Sequence, residues 1–284
     1  MTLLQIAILA LIQGLTELLP VSSSAHVILA EKWMGLDPTL PRMTLLLVML
    51  HTGTMLSVLV YFWETWRKNY FESEYRGGIF IKKIIQATLA TGLVGALLMV
   101  LIEKVLLRGS AHAEVESLFG NLTLIAIALA CTGLLILFAS SREKGAADTE
   151  NLGSRASFWI GVVQGFCLPF RGFSRSGATI STGLILGIGR AKAEEFSFAL
   201  AVVLTPPILL LEIHRLWKSQ AVLGGSTRDL LQALYPGLMG MALSFAAGLL
   251  ALRWLSSWLE RGRWKWFGYY CLIIAAVIAF FRNS

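Results

Sequence analysis

Charge is the scarcest property of this 284-residue sequence. Asp, Glu, Lys and Arg together make up 14% of it, against about 25% in an ordinary soluble domain. With 56% hydrophobic residues and a mean hydropathy of +0.70, too little polar surface remains to clothe a water-soluble globule, so an aqueous domain is excluded. Cysteine is nearly absent too. Cys131, Cys167 and Cys271 lie far apart in apolar stretches with no Cys-x-x-Cys spacing, which argues against a disulfide framework or a zinc site. The N-terminus lacks a cationic n-region, its first positive side chain being Lys32, and the first segment is therefore expected to persist rather than be cleaved as a signal peptide. The 24 Lys and Arg residues outnumber the 17 Asp and Glu but form no basic block. They fall in short loops between apolar runs, so the excess reads as a topology signal and no nucleic-acid partner is expected.

What the sequence has in quantity is long apolar runs. A hydrocarbon core takes about 20 apolar residues per helical crossing, and runs of that kind recur at Thr44–Phe62, Ile84–Ile102, Asn121–Ser140, Phe196–Leu211, Leu234–Leu252 and Trp266–Phe281. Six transmembrane helices are expected. Two further apolar segments are broken. Met1–Ala30 is interrupted by Pro20 and Ser22-Ser23-Ser24, and Ser157–Gly189 by Pro169, Gly172 and Ser174-Arg175-Ser176-Gly177. Proline disfavours helix at the residue before it, so the first helix should end near Leu19. The second segment should divide into pieces too short to span, the later one starting near Gly177.

The broken segments resemble each other. Gln13-Gly14-Leu15 leads through Pro20 to Ser22-Ser23-Ser24, and Gln164-Gly165-Phe166 leads through Pro169 to Ser174-Arg175-Ser176; each is followed by three long runs. If both re-enter instead of spanning, three crossings separate the copies, which then enter from opposite faces. The expected fold is an all-α integral membrane protein of six transmembrane helices plus two re-entrant helical hairpins in an inverted-topology repeat. Its halves are 1–150 and 151–284, and substrate sites tend to lie at such an interface.

Ionisable groups at bilayer depth are costly and usually face a polar cavity and a partner. Glu17, Arg171 and Arg175 are the exceptional residues. Gln13 and Glu17, four apart, share one helix face. Arg175 carries a fork suited to bidentate phosphate binding. Beside it, Ser174, Ser176, Gly177 and Thr179 open a helix whose N-terminus can hold an anion, a plain N-cap being the alternative. Ser22–Ser24 and His26 add a nucleophile and an acid or base, and Glu17 with Gln13 could position a divalent cation or a water. Phosphoryl transfer is the chemistry these types combine to perform. His51, His112 and His214 lack such company.

These residues resemble the undecaprenyl-diphosphate phosphatases linked to bacitracin resistance. That family carries a Glu/Gln-x-x-x-Glu motif running into Pro-x-Ser-Ser-(Ser/Thr)-x-His, matched by Gln13 to His26, and Pro-Gly-x-Ser-Arg-Ser-Gly-x-Thr, matched from Arg171 to Thr179; the likeness extends to Glu194-Glu195-Phe196-Ser197-Phe198. The resemblance implies hydrolysis of undecaprenyl diphosphate to the monophosphate and inorganic phosphate. That reaction recycles the lipid carrier for peptidoglycan synthesis at the outer side of the bacterial plasma (inner) membrane, with dependence on a divalent cation, Mg or Ca. It leans towards Ser23 as nucleophile with His26 as acid/base, with Arg171 added to the phosphate-binding set. Arg171 stands where the family has proline, and Gln13 where some members have a carboxylate. The partners implied are the lipid and the membrane, with a homodimer left open. Inverted repeats with broken helices also suit a secondary transporter or a flippase of a polyprenyl phosphate.

With both broken segments re-entrant, fourteen Lys and Arg residues fall on one face, including Arg67, Lys68, Lys82 and Lys83, and eight on the other, including Lys32 and Lys104. The positive-inside rule puts the richer face in the cytoplasm. With the native cysteines replaced by alanine, Ser73→Cys is expected to resist an impermeant thiol reagent in intact cells while Asp37→Cys is labelled. The reverse pattern inverts the orientation.

Overall fold

The computed structural model describes residues 1–37, 41–106, 121–142, 152–223 and 227–281; His112, Lys144 and the expected boundary at 150/151 lie outside them. Among the described residues every regular element is helical. In chain order these are α1 Leu3–Leu18, α2 Ser23–Trp33, α3 Pro41–Trp66, α4 Glu74–Leu101, α5 Leu122–Arg142, α6 Ser154–Cys167, α7 Arg175–Ile185, α8 Arg190–Leu223, α9 Thr227–Glu260 and α10 Lys265–Phe281. Helices α3 and α4 each run on into a π turn, Arg67–Phe71 and Ile102–Leu106.

Local chemistry sets the ends. Thr2 and Gln5 form a reciprocal capping box at the start of α1, satisfying two otherwise orphaned N–H groups. Leu19, before Pro20, is extended and stops the helix where the proline rule puts the break. Asn121 Oδ1 accepts from the N–H groups of Thr123 and Leu124 to open α5. At 16, 11, 14 and 11 residues, α1, α2, α6 and α7 are shorter than a usual crossing.

The chain is a multi-pass membrane protein. Four stretches, Met43–Phe71, Glu74–Val105, Leu122–Arg142 and Tyr235–Glu260, are long and apolar enough to cross a bilayer. They correspond to four of the six expected runs. The other two fall in α8, which contains Pro206 and Pro207, and in α10, which has 17 residues. Leu89, Leu93 and Leu97 of α4 project outward at 68%, 73% and 65% exposure. A helical stripe of leucines turned away from the core suits a lipid solvent, not water.

Apolar attraction between helices is weak in lipid, so close packing of small residues holds the bundle together. Helix α1 lies along α9 with Gly14 against Ser244 and Ala247, where a Cβ would come within 2.6 Å of Ala247 Cβ and 2.7 Å of the Ser244 carbonyl. Helix α6 lies along α4 in the same way. A Cβ on Gly161 would stand 2.2 Å from the Ala87 carbonyl, and Thr91 Oγ1 donates to the Gly161 carbonyl at 2.9 Å. Other pairs are α3 with α8 and α9, α5 with α10, and α7 with α5, α6 and α8.

Gly14→Val and Gly161→Val should each force a packed pair apart. A loss of about 1–3 kcal/mol or more follows from overpacking, read as a lower melting temperature or aggregation in detergent. Gly92, whose Cβ would meet nothing within 4 Å, supplies the control: Gly92→Val should melt close to the parent.

Candidate active site

The two helix breaks meet. After α1 stops, Pro20, Val21 and Ser22 turn the chain back, with Ser22 at φ 66°. This left-handed conformation is uncommon for a residue other than glycine. The turn brings Ser23, first residue of α2, beneath the end of α1, where its hydroxyl donates to Glu17 Oε2 at 2.6 Å. In the other break Gly172 has φ 102°, a Cβ there would stand 2.5 Å from the Ile125 carbonyl, and its N–H donates to Ser24 Oγ at 3.3 Å. Ser176 Oγ donates to the Leu19 carbonyl at 3.2 Å. Chain reversals far apart in sequence are thereby stitched together.

At the seam is an ion pair. Arg175, first residue of α7, donates from one guanidinium nitrogen to Glu17 Oε1 at 2.8 Å. The side chains retain 24% and 17% of their accessible surface, respectively, so the pair is largely withdrawn from solvent. Glu17 Oε2 accepts from Ser23 and, at 3.1 Å, from Gln13 Nε2. Gln13 Nε2 also stands 2.9 Å from His51 Nδ1 on α3. A small cavity opens over this set, with Glu17, His51, Thr54, Arg175 and Thr205 as polar walls and Leu18, Met55, Val58, Ala201 and Val202 as apolar ones. Helices α1, α3, α7 and α8 all contribute to it.

Glu17, Arg175, Ser23 and Gln13 are drawn into one hydrogen-bonded group. Others expected at the site hold the frame around it. Ser174 is the N-cap of α7, accepting from the Gly177 N–H at 3.2 Å while its own N–H donates to Thr132 at 2.9 Å. The helix therefore begins two residues before the expected Gly177, and one N–H expected to face an anion is used by the cap. Thr179 donates to the Arg175 carbonyl at 2.8 Å and pairs with Ser197 of α8 at 2.5 Å. His26 stands apart from Ser23's hydroxyl contact. Its Nδ1 lies 2.8 Å from the Ser22 carbonyl and its Nε2 2.7 Å from the Tyr270 hydroxyl on α10, against which the ring stacks. Arg171 is at the exposed rim of its turn, where its charge acts on Glu31 and His51.

His51, Thr54 and Thr205 were not expected here. The sequence signal for His51 was an ionisable residue inside a long apolar run, the same signal that singled out Glu17. Among the described residues no group of three or more His, Cys, Asp or Glu side chains could hold a metal ion.

Residues 6–277 match the family described as Bacitracin resistance protein BacA. The chain is 55% identical over 279 residues to "Undecaprenyl-diphosphatase 2" of Acinetobacter baylyi, covering 98% of this chain and 97% of that protein. It is 35% identical to the undecaprenyl-diphosphatase of Desulfosudis oleivorans, covering 96% of each chain. To that of Christiangramia forsetii it is 34% identical, covering 95% of this chain and 96% of the relative.

Removing one partner of a largely buried ion pair strands the other charge. Glu17→Leu and Arg175→Leu should each lower the melting temperature in detergent, and the double variant should recover part of the loss. The coupling expected is about 1–3 kcal/mol; additive losses would show that the pair does not join the two breaks energetically.

Proposed function

The chain belongs to the bacitracin resistance protein BacA family, and from that membership and the Glu17–Ser23–Arg175 contacts we infer that it is an undecaprenyl-diphosphate phosphatase. It hydrolyses the terminal phosphate of the diphosphate lipid to give undecaprenyl phosphate and inorganic phosphate. The single observation that carries a mechanism is the 2.6 Å hydrogen bond from Ser23 to Glu17.

An ionised carboxylate in that contact can take the serine proton as the oxygen attacks the terminal phosphorus, acting as general base. The bond from phosphorus to the bridging oxygen breaks, and the electron pair leaves with undecaprenyl phosphate. Arg175 holds Glu17 with one nitrogen and has further N–H donors for the phosphoryl oxygens, where charge accumulates in the transition state. Water then attacks the phosphoserine, releasing phosphate and restoring the hydroxyl. Among the other expected phosphate ligands, Arg171 at the rim is suited to meet the diphosphate as it enters. Ser174, Ser176, Gly177 and Thr179 fix the first turn of α7, which carries Arg175. His26 anchors the turn before Ser23 through the Ser22 carbonyl.

A divalent cation is compatible with this donor set. Mg²⁺ is often held by one or two carboxylates together with substrate phosphate oxygens, whereas Ca²⁺ takes about 6–8 oxygens. Glu17, with Gln13, would hold the ion against the diphosphate, and bound there it would neutralise phosphate charge. The single carboxylate favours Mg²⁺.

The surrounding fold is read as six crossings with α1–α2 and α6–α7 as re-entrant hairpins of two inverted halves, placed in the bacterial plasma membrane with the site facing outward. Three observations support it: the shortness of α1, α2, α6 and α7, the packing of α1 on α9 matched by that of α6 on α4, and the cations Arg67, Lys68, Lys82 and Lys83 gathered where α3 passes into α4.

Detergent-purified protein, with no gradient present, should release inorganic phosphate from undecaprenyl diphosphate; a transporter would not. Ser23→Ala should abolish release and trapping of an acid-stable phosphoserine. His26→Ala should keep residual activity, and Arg175→Lys should be severely impaired while inserting normally, because a point charge cannot replace the fork. An acid-labile phosphohistidine would move the nucleophile to His26. No covalent species, with Ser23→Ala and His26→Ala equally and weakly active, would replace serine attack by water attack.

A further inference from the structure

His51 is the titratable wall of the cavity that neither the motifs nor the mechanism above uses. Its surroundings determine which ring nitrogen carries the proton. The Gln13 amide atom 3.1 Å from Glu17 Oε2 must be the NH₂ group, since an ionised carboxylate only accepts hydrogen bonds. That nitrogen has two hydrogens, and it also stands 2.9 Å from His51 Nδ1. One hydrogen goes to the carboxylate and the other to the imidazole, so Nδ1 is an acceptor and holds no proton. Direct protonation of Nδ1 towards Glu17 is a poor alternative, because the separation of 3.6 Å is too long for a hydrogen bond. The neutral ring therefore carries its hydrogen on Nε2, the nitrogen not engaged by Gln13.

The ring is also more open than either member of the ion pair. His51 keeps 42% of its side-chain surface, compared with 17% for Glu17 and 24% for Arg175, and it shares the cavity wall with both. His51 enters from α3, which supplies no other titratable group to the cavity.

The geometry points to His51 as a catalytic residue that donates a hydrogen bond from Nε2 to the substrate's phosphoryl group, held in that tautomer by Gln13 as a positioning residue. The inference rests on the phosphatase reading. It also gives Gln13 a reason to be an amide: a carboxylate there would offer His51 Nδ1 no hydrogen, and only an uncharged donor can serve Glu17 and His51 together.

The test uses the full-length protein in detergent with undecaprenyl diphosphate as substrate and inorganic phosphate as competing ligand. One hydrogen bond to a charged group is worth about ten- to a hundredfold, so His51→Ala should lose that much in kcat/KM and bind inorganic phosphate more weakly. His51→Gln should recover most of it, because a carboxamide also offers an acceptor to Gln13 and a donor to phosphate. Nitrogen NMR of histidine-labelled protein should show His51 protonated on Nε2 alone, and Gln13→Glu should move that proton to Nδ1 or protonate both nitrogens. A His51→Ala variant with parental kcat/KM and phosphate affinity, or a ring protonated on Nδ1 in the parent, overturns the inference. A parent protein that releases no phosphate overturns the phosphatase reading instead.

Discussion

The candidate site depends on one ion pair, Glu17 with Arg175, formed between two places where an apolar helix is interrupted. Neither charge is affordable alone in an apolar medium, and removing either would strand its partner. Together they lie 2.8 Å apart and tie the end of α1 to the start of α7. The contact does two jobs: it joins distant parts of the chain, and it aims a guanidinium and a carboxylate at the same cavity. The candidate site and the contact that ties the two breaks together share the same atoms.

That coincidence explains why the helices break there. An unbroken helix satisfies its own backbone and leaves no N–H or C=O for anything else. Stopping α1 at Leu18 frees the Leu19 carbonyl, which accepts from Ser176, and opening the turn at Gly172 frees an N–H for Ser24. Each freed backbone group is taken up by the other break, so the two interruptions satisfy each other. Glu194, buried away from the site, is held in the same way: it accepts from Ser256 at 2.6 Å and Ser256 from Tyr61 at 2.9 Å, which joins α8 to α9 and α3, while Glu195 pairs with Lys192 within α8 at 3.0 Å.

Much of this was legible in the sequence because a bilayer makes a few residues conspicuous. Glu17 and Arg175 stand out as charges in apolar runs. Pro20 locates the first break, and the paired Gln-Gly motifs announce that the breaks are related. What could not be read was which polar side chains face the cavity and which face a neighbouring helix. Ser174, Ser176 and Thr179 look like phosphate ligands in a motif, yet they hydrogen-bond to backbone and side-chain atoms of the frame. His26 sits in the first motif but reaches Tyr270, a residue no local pattern connects to it. His51 shows the converse: it lies outside both motifs and becomes part of the site only because α3 packs beside α1. Helix periodicity gives the face a residue shares, whereas tertiary packing decides what that face meets.

The charge balance of the cavity follows from a single substitution in that pattern. With Gln at position 13, Glu17 is the only carboxylate in the hydrogen-bonded group, and Arg175 already compensates it. Arg171, at the rim where the family pattern has proline, acts on the carboxylate of Glu31 as well as on His51. A second carboxylate at position 13 would need a cation to relieve the repulsion from Glu17 one helical turn away. Here the repulsion is absent, because the amide donates to Glu17 instead of opposing it. The same amide therefore makes both contacts, holding Glu17 at 3.1 Å and His51 at 2.9 Å without adding a charge to the ion pair.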